Sequence, residues 1–363
     1  MDKKSARITD IAHALGISIG TVDRALHNRR GVNPLTKARV LQMAKTMGYR
    51  PNAAARLLSS RRVMRISVNL PAQIASFWDA VRDGIEDEAR LFASSGIEVD
   101  VRTFPRLGCG ESEAFEEALG SDVQGIIMAT GRPQDMKLPI LKASRSSVPV
   151  VTVSNDAPGT ARLASVSIDA LASGSLAGEL LGRLIQGKGA LAVITGDVGI
   201  ADHADKYHSF RDAVQSLFPA IKVFEPVLNH EDEREAYDQG RRLLRDHPDL
   251  NGLYISTANS LPVLQGLEDD NHLKNLTIIT TDLFPQLIRH IESGNVVATL
   301  YQRPRAQGQL ALRMLHDFLV EGTCPSHQVR FAPHFIMKSN LSFFLRRLSM
   351  EAEEEDRNGL NTP

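Results

Sequence analysis

Cysteine is nearly absent from the 363-residue chain, and the two that occur, Cys109 and Cys324, lie far apart. Two separated cysteines provide neither a disulfide framework nor metal-ligand spacing, so we expect reduced thiols and no bound metal. The chain also lacks an apolar run long enough to span a bilayer, and no apolar stretch follows its charged start, MDKKSARITD. The sequence therefore predicts a cytoplasmic protein with no signal peptide and no membrane partner.

Sequence motifs of catalysis and cofactor binding are missing as well. The chain contains no G-x-x-x-x-G-K-[ST] phosphate loop, no H-E-x-x-H and no Rossmann glycine fingerprint. The segment GISIG at 16–20 matches the G-x-S-x-G nucleophile motif, but that motif requires a strand before it and a helix after it. Helices are predicted on both sides here, so we attribute the match to chance. We expect a protein that is not an enzyme and uses no cofactor.

The formal net charge of -1 conceals a strong asymmetry along the chain. Residues 1–62 contain 13 Lys and Arg against 3 Asp and Glu, a net of +10, which leaves -11 for the remainder. A basic segment joined to an acidic body indicates a polyanionic partner for the first part only.

Apolar residues at helical spacing predict three short helices in the first fifty residues. The first helix has its inner face at Ile8, Ile11, Ala12 and Leu15. Ser18 is placed to cap a second helix, and Asn33, followed by Pro34, is placed to cap a third. About three residues separate the first two helices, which is the spacing of a helix-turn-helix.

A domain of this kind inserts its second helix into the major groove of DNA. The candidates for base contact are Ile19, Gly20, Thr21 and Arg24. Arg24 is able to donate two hydrogen bonds to guanine, worth about 1–3 kcal/mol of discrimination, whereas Ile19 contacts only an apolar edge such as a thymine methyl. A phosphate contact or a free surface position is the alternative for Arg24.

Residues 8–58, which include TV-x-RAL and GYRPN-x-x-AR-x-L, resemble the head and hinge of the LacI-type (lactose repressor) family. The resemblance implies phosphate contacts for Thr21 and Asn33, and places Ile19, Gly20 and Arg24 at base-contacting positions. It also implies that two further residues anchor the head to the DNA backbone, Tyr49 and Asn52.

The resemblance extends to a hinge helix at PNAAARLL, residues 51–58. In such proteins this helix enters the minor groove, and Leu58 matches the leucine that wedges between base pairs and kinks the duplex. Ala55 and its neighbours are small enough for two hinge helices to approach closely. An ordinary amphipathic linker with Leu58 in a core is the alternative. Two departures, Asp23 for a common serine and His27 for a common asparagine, leave the operator sequence open.

Beyond the hinge, short β-rich runs alternate with helix-length amphipathic stretches, which indicates parallel sheets covered by helices on both faces. The strand candidates are 64–70, 97–101, 125–129, 148–153, 190–195, 252–256 and 276–280. The helix candidates include 77–95, 170–186, 205–217, 231–246 and 304–321. These units are too many for one sheet, so we expect two lobes with a ligand between them, at the carboxyl ends of strands.

The predicted fold is thus an all-α helix-turn-helix head joined to a two-lobed α/β domain like that of periplasmic binding proteins. We place the head at 1–50, the hinge helix at 51–62, the two-lobed domain at 63–348 and a disordered acidic tail at 349–363.

The order of residues 64–340 resembles sugar-binding proteins of the ribose-binding type, through stretches such as FWDAVRDGIEDEA, VPVVTVSNDAP and IITTD. The resemblance implies an aromatic pair on the sugar ring and polar side chains at strand ends. The ligand-binding candidates are Phe77, Trp78, Asn155, Asp156, Lys206, Asn259, Asp282 and Gln302. Amides and carboxylates suit sugar hydroxyls because these both donate and accept hydrogen bonds.

Several of these residues have a structural alternative. Asp156 and Asp282 also suit turns or helix caps, and Phe77 and Trp78 suit the start of a helix packed on the core. Gln302 also suits a sheet edge. The joint placement of all five after strands favours the ligand-binding interpretation.

Lys206 stands where the resemblance leads us to expect an arginine, and it supplies a point charge rather than a planar fork. His203 and His208, on either side of it, are expected to have surface or packing roles, with contact to the ligand as the alternative. With a single lysine identified, a phosphorylated sugar is not expected, and a monosaccharide or sugar alcohol is the predicted ligand.

These observations predict a homodimeric, sequence-specific transcriptional regulator of carbohydrate-metabolism genes, a repressor, that binds a two-fold symmetric operator and a small sugar or polyol. An activator or corepressor-dependent regulator of the same fold remains open as an alternative. A transport-type sugar-binding protein is a further one, against which the basic head argues.

Overall fold

A computed structural model describes residues 8–26, 31–47 and 63–345. The predicted hinge helix and acidic tail, and with them Tyr49, Asn52, Ala55 and Leu58, lie outside the described residues.

The N-terminal unit consists of the helices α1 (Ile8–Leu15), α2 (Ile19–Leu26) and α3 (Pro34–Thr46). They enclose a small core made by Ile11, Ala12, Val22, Ala25, Val40 and Ala44. Both predicted caps are present. The backbone N–H of Thr21 donates to Oγ of Ser18 at 3.2 Å, and that of Leu35 donates to Oδ1 of Asn33 at 2.9 Å. These bonds satisfy backbone donors that lack partners at helix starts, and the three predicted helices are confirmed.

The larger unit begins with the strands of a first lobe. Its sheet has the order β12-β5-β4-β3-β1-β2 with every neighbour parallel. The strands are β1 (Met64–Pro71), β2 (Ile97–Phe104), β3 (Gly125–Met128), β4 (Val150–Ser154), β5 (Ala164–Ile168) and β12 (Gln328–Phe331). The strands β1, β3 and β4 are almost wholly buried, which explains why they are nearly continuous apolar runs.

The second lobe has a sheet in the order β13-β11-β10-β9-β6-β7, with β8 beside β6 and β13 antiparallel to β11. Its strands are β6 (Gly189–Thr195), β7 (Ile221–Val223), β8 (Val227–Leu228), β9 (Leu250–Ile255), β10 (Thr277–Thr281), β11 (Ala298–Tyr301) and β13 (His334–Ile336). The predicted two-lobed α/β architecture is confirmed.

The helices of the first lobe are α4 (Ala75–Leu91), α5 (Glu111–Leu119), α6 (Lys137–Arg145) and α12 (Pro304–His316). Those of the second lobe are α7 (Ala170–Leu184), α8 (Ala201–Leu217), α9 (Glu233–Asp246), α10 (Ser260–Asp269) and α11 (Ile288–Glu292). Residues 341–345 are also helical. Short 3₁₀ turns occupy Ala93–Ser95, Leu273–Asn275 and Pro285–Leu287, and a π-helical turn occupies Asp317–Glu321. The helix predicted at 304–321 is thus α-helical to His316 and continues as the π-helical turn to Glu321. No helix in the described part of the chain is both long and apolar enough to cross a membrane.

The chain passes between the lobes after β5, after β11 and after β12, so each lobe is built from separated segments. Parallel strands within a lobe end at the same sheet edge, and the carboxyl ends of both sheets border the space between the lobes.

Close packing of α7 on α8 depends on glycine. A Cβ placed on Gly174 would lie 2.1 Å from the carbonyl oxygen of Lys206, and one on Gly178 would lie 2.8 Å from that of Phe210. Because no side chain fits in this space, the two glycines allow the backbones to touch. This contact fixes the position of the α8 turn that carries Lys206.

Candidate ligand-binding cleft and DNA-binding head

A cavity of about 130 Å³ lies between the two lobes. The first lobe lines it with residues that follow β1, β2, β3 and β4, and the second lobe with residues that follow β6, β8, β9 and β11. Five of the predicted ligand-binding residues line this cavity: Phe77, Trp78, Asn155, Lys206 and Gln302.

The aromatic pair at the start of α4 forms an apolar wall of the cleft. The rings of Phe77 and Trp78 meet edge to face, with centroids 4.9 Å apart and an interplanar angle of 87°. Both side chains are buried, so packing against α4 and contact with the cleft are compatible roles for them. Apolar ring faces of this kind are suited to covering the C–H face of a sugar.

A chain of hydrogen bonds crosses the floor of the cleft from α8 to the segment after β11. Nζ of Lys206 donates to Oδ2 of Asp202 at 2.6 Å and to Oε1 of Gln302 at 2.8 Å. Nε2 of Gln302 donates to Oδ2 of Asp282 at 2.6 Å, and the backbone N–H of Gln302 donates to Oδ1 at 3.0 Å. Because Asp282 accepts from the amide nitrogen, the amide oxygen of Gln302 has to face Lys206. Asp282 thereby fixes the orientation of a side chain that lines the cleft.

Burial and charge both act on the pKa values in this chain. Burial by itself lowers the pKa of Lys206, but the Asp202 carboxylate and other nearby acceptors outweigh it and the net pKa is raised. Burial raises the pKa of Asp282 to about 6, against the opposing effect of its two hydrogen bonds from Gln302. Lys206 is therefore a cation at neutral pH, and Asp282 begins to bind a proton as the pH falls toward 6.

A second polar group on the same side consists of His203 and Glu231. The backbone N–H of Asp197 donates to Nδ1 of His203 at 3.0 Å, so in the neutral ring the proton is on Nε2. That nitrogen lies 3.2 Å from Oε1 of Glu231. The histidine thus holds one oxygen of a cleft carboxylate, a role that the sequence analysis did not assign to it.

Several buried polar atoms in the lining have no hydrogen-bond partner among the described residues. They are Oγ of Ser154, Oε2 of Glu231 and Oε1 of Gln307. A buried polar atom left unpaired costs about 1–3 kcal/mol, so these atoms favour a polar occupant of the cleft.

Three predicted ligand-binding residues do not line this cavity. Asp156 forms a partly buried ion pair with Arg162, whose Nη2 lies 2.8 Å from Oδ2, and it also accepts from Gln328. Asn259 lies just before α10 and borders a different opening of the same domain, while Asp282 reaches the cleft only through Gln302.

Sequence reasoning missed several residues that line the cavity, among them Gln73, Arg106, Arg132, Glu231 and Gln307. Gln73, Arg106 and Arg132 follow β1, β2 and β3, just as Asn155 follows β4. The expectation that ligand-binding residues lie at the ends of strands, which led to Asn155, therefore applies equally to these three. Gln307, within α12, carries no such signal.

The DNA-binding candidates that the structure describes are Ile19, Gly20 and Thr21 at the start of α2, Arg24 in its last turn, and Asn33 before α3. Ile19 is 53% exposed, which is unusual for an isoleucine in so small a domain, and Arg24 is exposed as well. Oγ1 of Thr21 lies 2.9 Å from Oγ of Ser18 and 3.5 Å from Nη2 of Arg24. Asn33 is exposed and caps α3.

A helix-turn-helix head together with a two-lobed domain that encloses a polar cleft defines a ligand-responsive DNA-binding regulator. Residues 7–52 match the model of bacterial regulatory proteins of the lacI family, and residues 66–323 match the periplasmic binding protein domain.

Among similar proteins, catabolite control protein A of Priestia megaterium is 27% identical over 344 residues, which cover 91% of this chain and 97% of that protein. A glucose-galactose binding protein of Geobacillus stearothermophilus, GanP, is 26% identical with a TM-score of 0.70, and covers 77% of this chain and 99% of its own. A structure described as a putative LacI transcriptional regulator from Bacteroides fragilis is 18% identical, with a TM-score of 0.69 over 78% of this chain and 99% of that one.

The chain belongs to the periplasmic binding protein domain family and carries the DNA-binding domain of the lacI family. It is a DNA-binding regulator with a sensor domain of the sugar-binding type, as the sequence predicted. A transport-type binding protein is not favoured, because the DNA-binding domain is present. Regulators of this family are generally not enzymes.

Proposed function

We propose that the protein is a cytoplasmic repressor of carbohydrate-metabolism genes, which binds a two-fold symmetric operator as a homodimer and is controlled by a sugar or polyol in the cleft. Two protomers place one head on each half-site. In this proposal, Ile19, Gly20 and Arg24 contact bases, and Thr21 and Asn33 contact phosphates.

The observation that supports a sugar ligand is the composition of the cleft. An aromatic pair faces buried amide, carboxylate and ammonium groups, and three buried polar atoms there find no partner in the described part of the chain. A water needs roughly 10–15 Å³ in a cavity, so 130 Å³ holds on the order of ten water-sized groups, close to the number of non-hydrogen atoms in a hexose. The similarity to GanP, a glucose-galactose binding protein, favours the same ligand class.

Control of DNA binding by the ligand requires two states of the protein that differ in ligand affinity. We propose that the lobes change their angle around the three crossovers when ligand binds, and that this change is transmitted to the hinge predicted from the sequence at residues 51–62. Repression is the proposed sign because a dimer bound at an operator blocks access to the promoter. Deletion of the regulator raises expression of a reporter behind the target promoter if the protein is a repressor, and lowers that expression if it is an activator.

Titration of Trp78 fluorescence tests the ligand assignment directly, because Trp78 is the single tryptophan of the chain and lines the cleft. We expect a saturable change with one member of a panel of monosaccharides and polyols. The variant Gln302→Ala should weaken this response, while Gln124→Ala, on the outer part of the first lobe, should not. Silence across the panel in calorimetry as well as fluorescence would contradict the sugar assignment.

A further inference from the structure

Two arginines of the first lobe line the cleft without an acidic partner. Arg106 follows β2 and Arg132 follows β3, and these strands flank β1 on either side. Both side chains are exposed, and no described carboxylate lies within ion-pair distance of either guanidinium. We propose that the cleft ligand is an anionic sugar derivative, whose carboxylate or phosphate group binds Arg106 and Arg132. This inference rests on the proposed function, since it names the class of sugar.

The loops that carry the two arginines are joined by one buried carboxylate. Oε1 of Glu111 accepts from the backbone N–H of Arg132 at 3.1 Å and from the hydroxyl of Thr130, also at 3.1 Å. Oε2 accepts from the backbone N–H of Gly131 at 2.8 Å and from that of Gly108 at 3.3 Å. Glu111 is 4% exposed. Its four bonds fix the backbone of both loops, so the arginines project from a rigid support rather than from free loops.

The two arginine-bearing loops are also in direct contact. A Cβ placed on Gly108 would lie 3.1 Å from Nε of Arg132, so the Arg132 side chain lies across the loop that begins at Arg106. A planar guanidinium is suited to carboxylate and phosphate because its donors match two oxygens at once. Two such groups on adjacent rigid loops form a recognition element for an anion.

The other charged residues that line the cleft lie on the second lobe. Lys206 is held by Asp202 at 2.6 Å, and Glu231 faces His203 at 3.2 Å. Asp197 keeps one charge of its own, although its Oδ1 already accepts from the backbone N–H of Gly199 at 2.7 Å. Asp197, Asp202 and Glu231 all belong to the second lobe, whereas Arg106 and Arg132 are the charged residues that the first lobe contributes to the cavity. The first-lobe side of the cleft thus presents positive charge to a ligand. Of these cleft cations only Lys206 was evident from the sequence, which is why a phosphorylated sugar was not expected there.

Calorimetry of the full-length protein with matched ligands tests this inference. The probes are glucose, galactose and mannose, their uronates, and their 6-phosphates. We expect one anionic compound to bind at least about tenfold more tightly than its neutral parent, since each bond to a charged group is worth about that factor or more. A preference for the uronate identifies a carboxylate, and a preference for the 6-phosphate identifies a phosphate.

Substitutions assign the effect to the arginines. Arg106→Gln and Arg132→Gln should each weaken binding of the anionic compound about tenfold or more, and leave the neutral parent within about twofold. Arg132→Lys keeps the positive charge but loses the paired donors of the guanidinium group. Its affinity for the anionic compound should therefore lie between those of the wild-type protein and Arg132→Gln. Arg82→Gln is the matched control, because Arg82 pairs with Asp79 on α4 and does not line the cleft.

The outcomes separate the two proposals. If a neutral hexose binds as tightly as its anionic derivatives, or more tightly, the proposal of an anionic ligand is overturned. The proposal of a sugar sensor then still stands. Equal weakening of neutral and anionic compounds by the arginine variants also overturns the anionic ligand, because the arginines would then act in lobe closure against Asp197. Absence of binding by all of the compounds contradicts both the inference and the sugar sensor.

Discussion

The amide nitrogen of Gln73 donates a hydrogen bond to the carbonyl oxygen of Glu231 at 2.5 Å. Gln73 follows β1 in the first lobe, and Glu231 precedes α9 in the second, so this bond spans the cleft. It holds the lobes together at the edge where the polar lining residues of both lobes meet.

The variant Gln73→Ala removes this link and should weaken ligand binding about two- to tenfold, as expected for one hydrogen bond of about 0.5–1.5 kcal/mol. Calorimetry with the identified ligand measures this change in affinity. Gln124→Ala is the matched control, since the Gln124 side chain bonds only within the first lobe, to Arg65 and Asp122. An unchanged affinity in Gln73→Ala would mean that the closed arrangement does not depend on this contact.

Asp282 should make stability depend on pH in an unusual direction. Burial raises its pKa to about 6 from the ordinary value of 3.8, so between these values the folded protein binds more protons than the unfolded chain. Its contribution to the free energy of unfolding therefore falls as the pH rises from about 4 to about 6, by about 3 kcal/mol, and is constant above.

The comparison of the wild-type protein with Asp282→Asn isolates this effect, because the other carboxylates cancel in the difference. Denaturant unfolding at several pH values should show the wild-type protein losing stability relative to the variant as the pH rises through that range. A difference that does not change with pH would show that Asp282 titrates near its ordinary value.

Gly174 should tolerate no side chain. Alanine at this position would bring Cβ within 2.1 Å of the Lys206 carbonyl oxygen, so α7 and α8 must separate, at a cost of about 1–3 kcal/mol. We expect a lower unfolding temperature for Gly174→Ala and weaker ligand binding, since Lys206 moves with α8. Gly120→Ala is the control, because Gly120 has φ near -75° and its nearest neighbours would be 3.5 Å from the new Cβ. Equal stability of the two variants would refute the close contact.

Arg24 should contribute to sequence discrimination. The variant Arg24→Ala should lose about 1–3 kcal/mol of binding free energy on operator DNA and much less on random DNA, as expected for an arginine that bonds to guanine. Fluorescence anisotropy on both duplexes measures the two affinities, with Arg82→Ala of the sensor domain as control. Equal losses on both duplexes would indicate that Arg24 contacts a phosphate instead.

The helices of the head and the alternation of strands and helices in the two-lobed domain were predictable from the sequence because both signals are local. Ser18 and Asn33 cap their helices through residues two or three positions away, and buried strands such as β1 are continuous apolar runs. The strand β5 was not predicted, because its ASVSI sequence alternates small residues and lacks a long apolar run.

The cleft was predicted in part, since strand ends are visible in a sequence but their pairings are not. Asn155 and Gln302 line the cavity, yet Asp156, beside Asn155, is taken up by Arg162. That pair is completed by Gln328 at the start of β12, which lies beside β5 only after the chain has crossed between lobes twice. The link from Glu111 to the Arg132 loop depends in the same way on the arrangement of distant segments.

The most direct test of the account compares ligand binding with DNA binding in one protein. Anisotropy of a labelled fragment of the protein's own promoter and Trp78 fluorescence are titrated with the same ligand. The account predicts that both change with the same midpoint, and that Asp282→Ala retains DNA binding but weakens the ligand response, because Gln302 is no longer oriented by the carboxylate. A ligand that saturates the Trp78 signal while leaving DNA affinity unchanged would contradict the claim that the cleft controls the DNA-binding head.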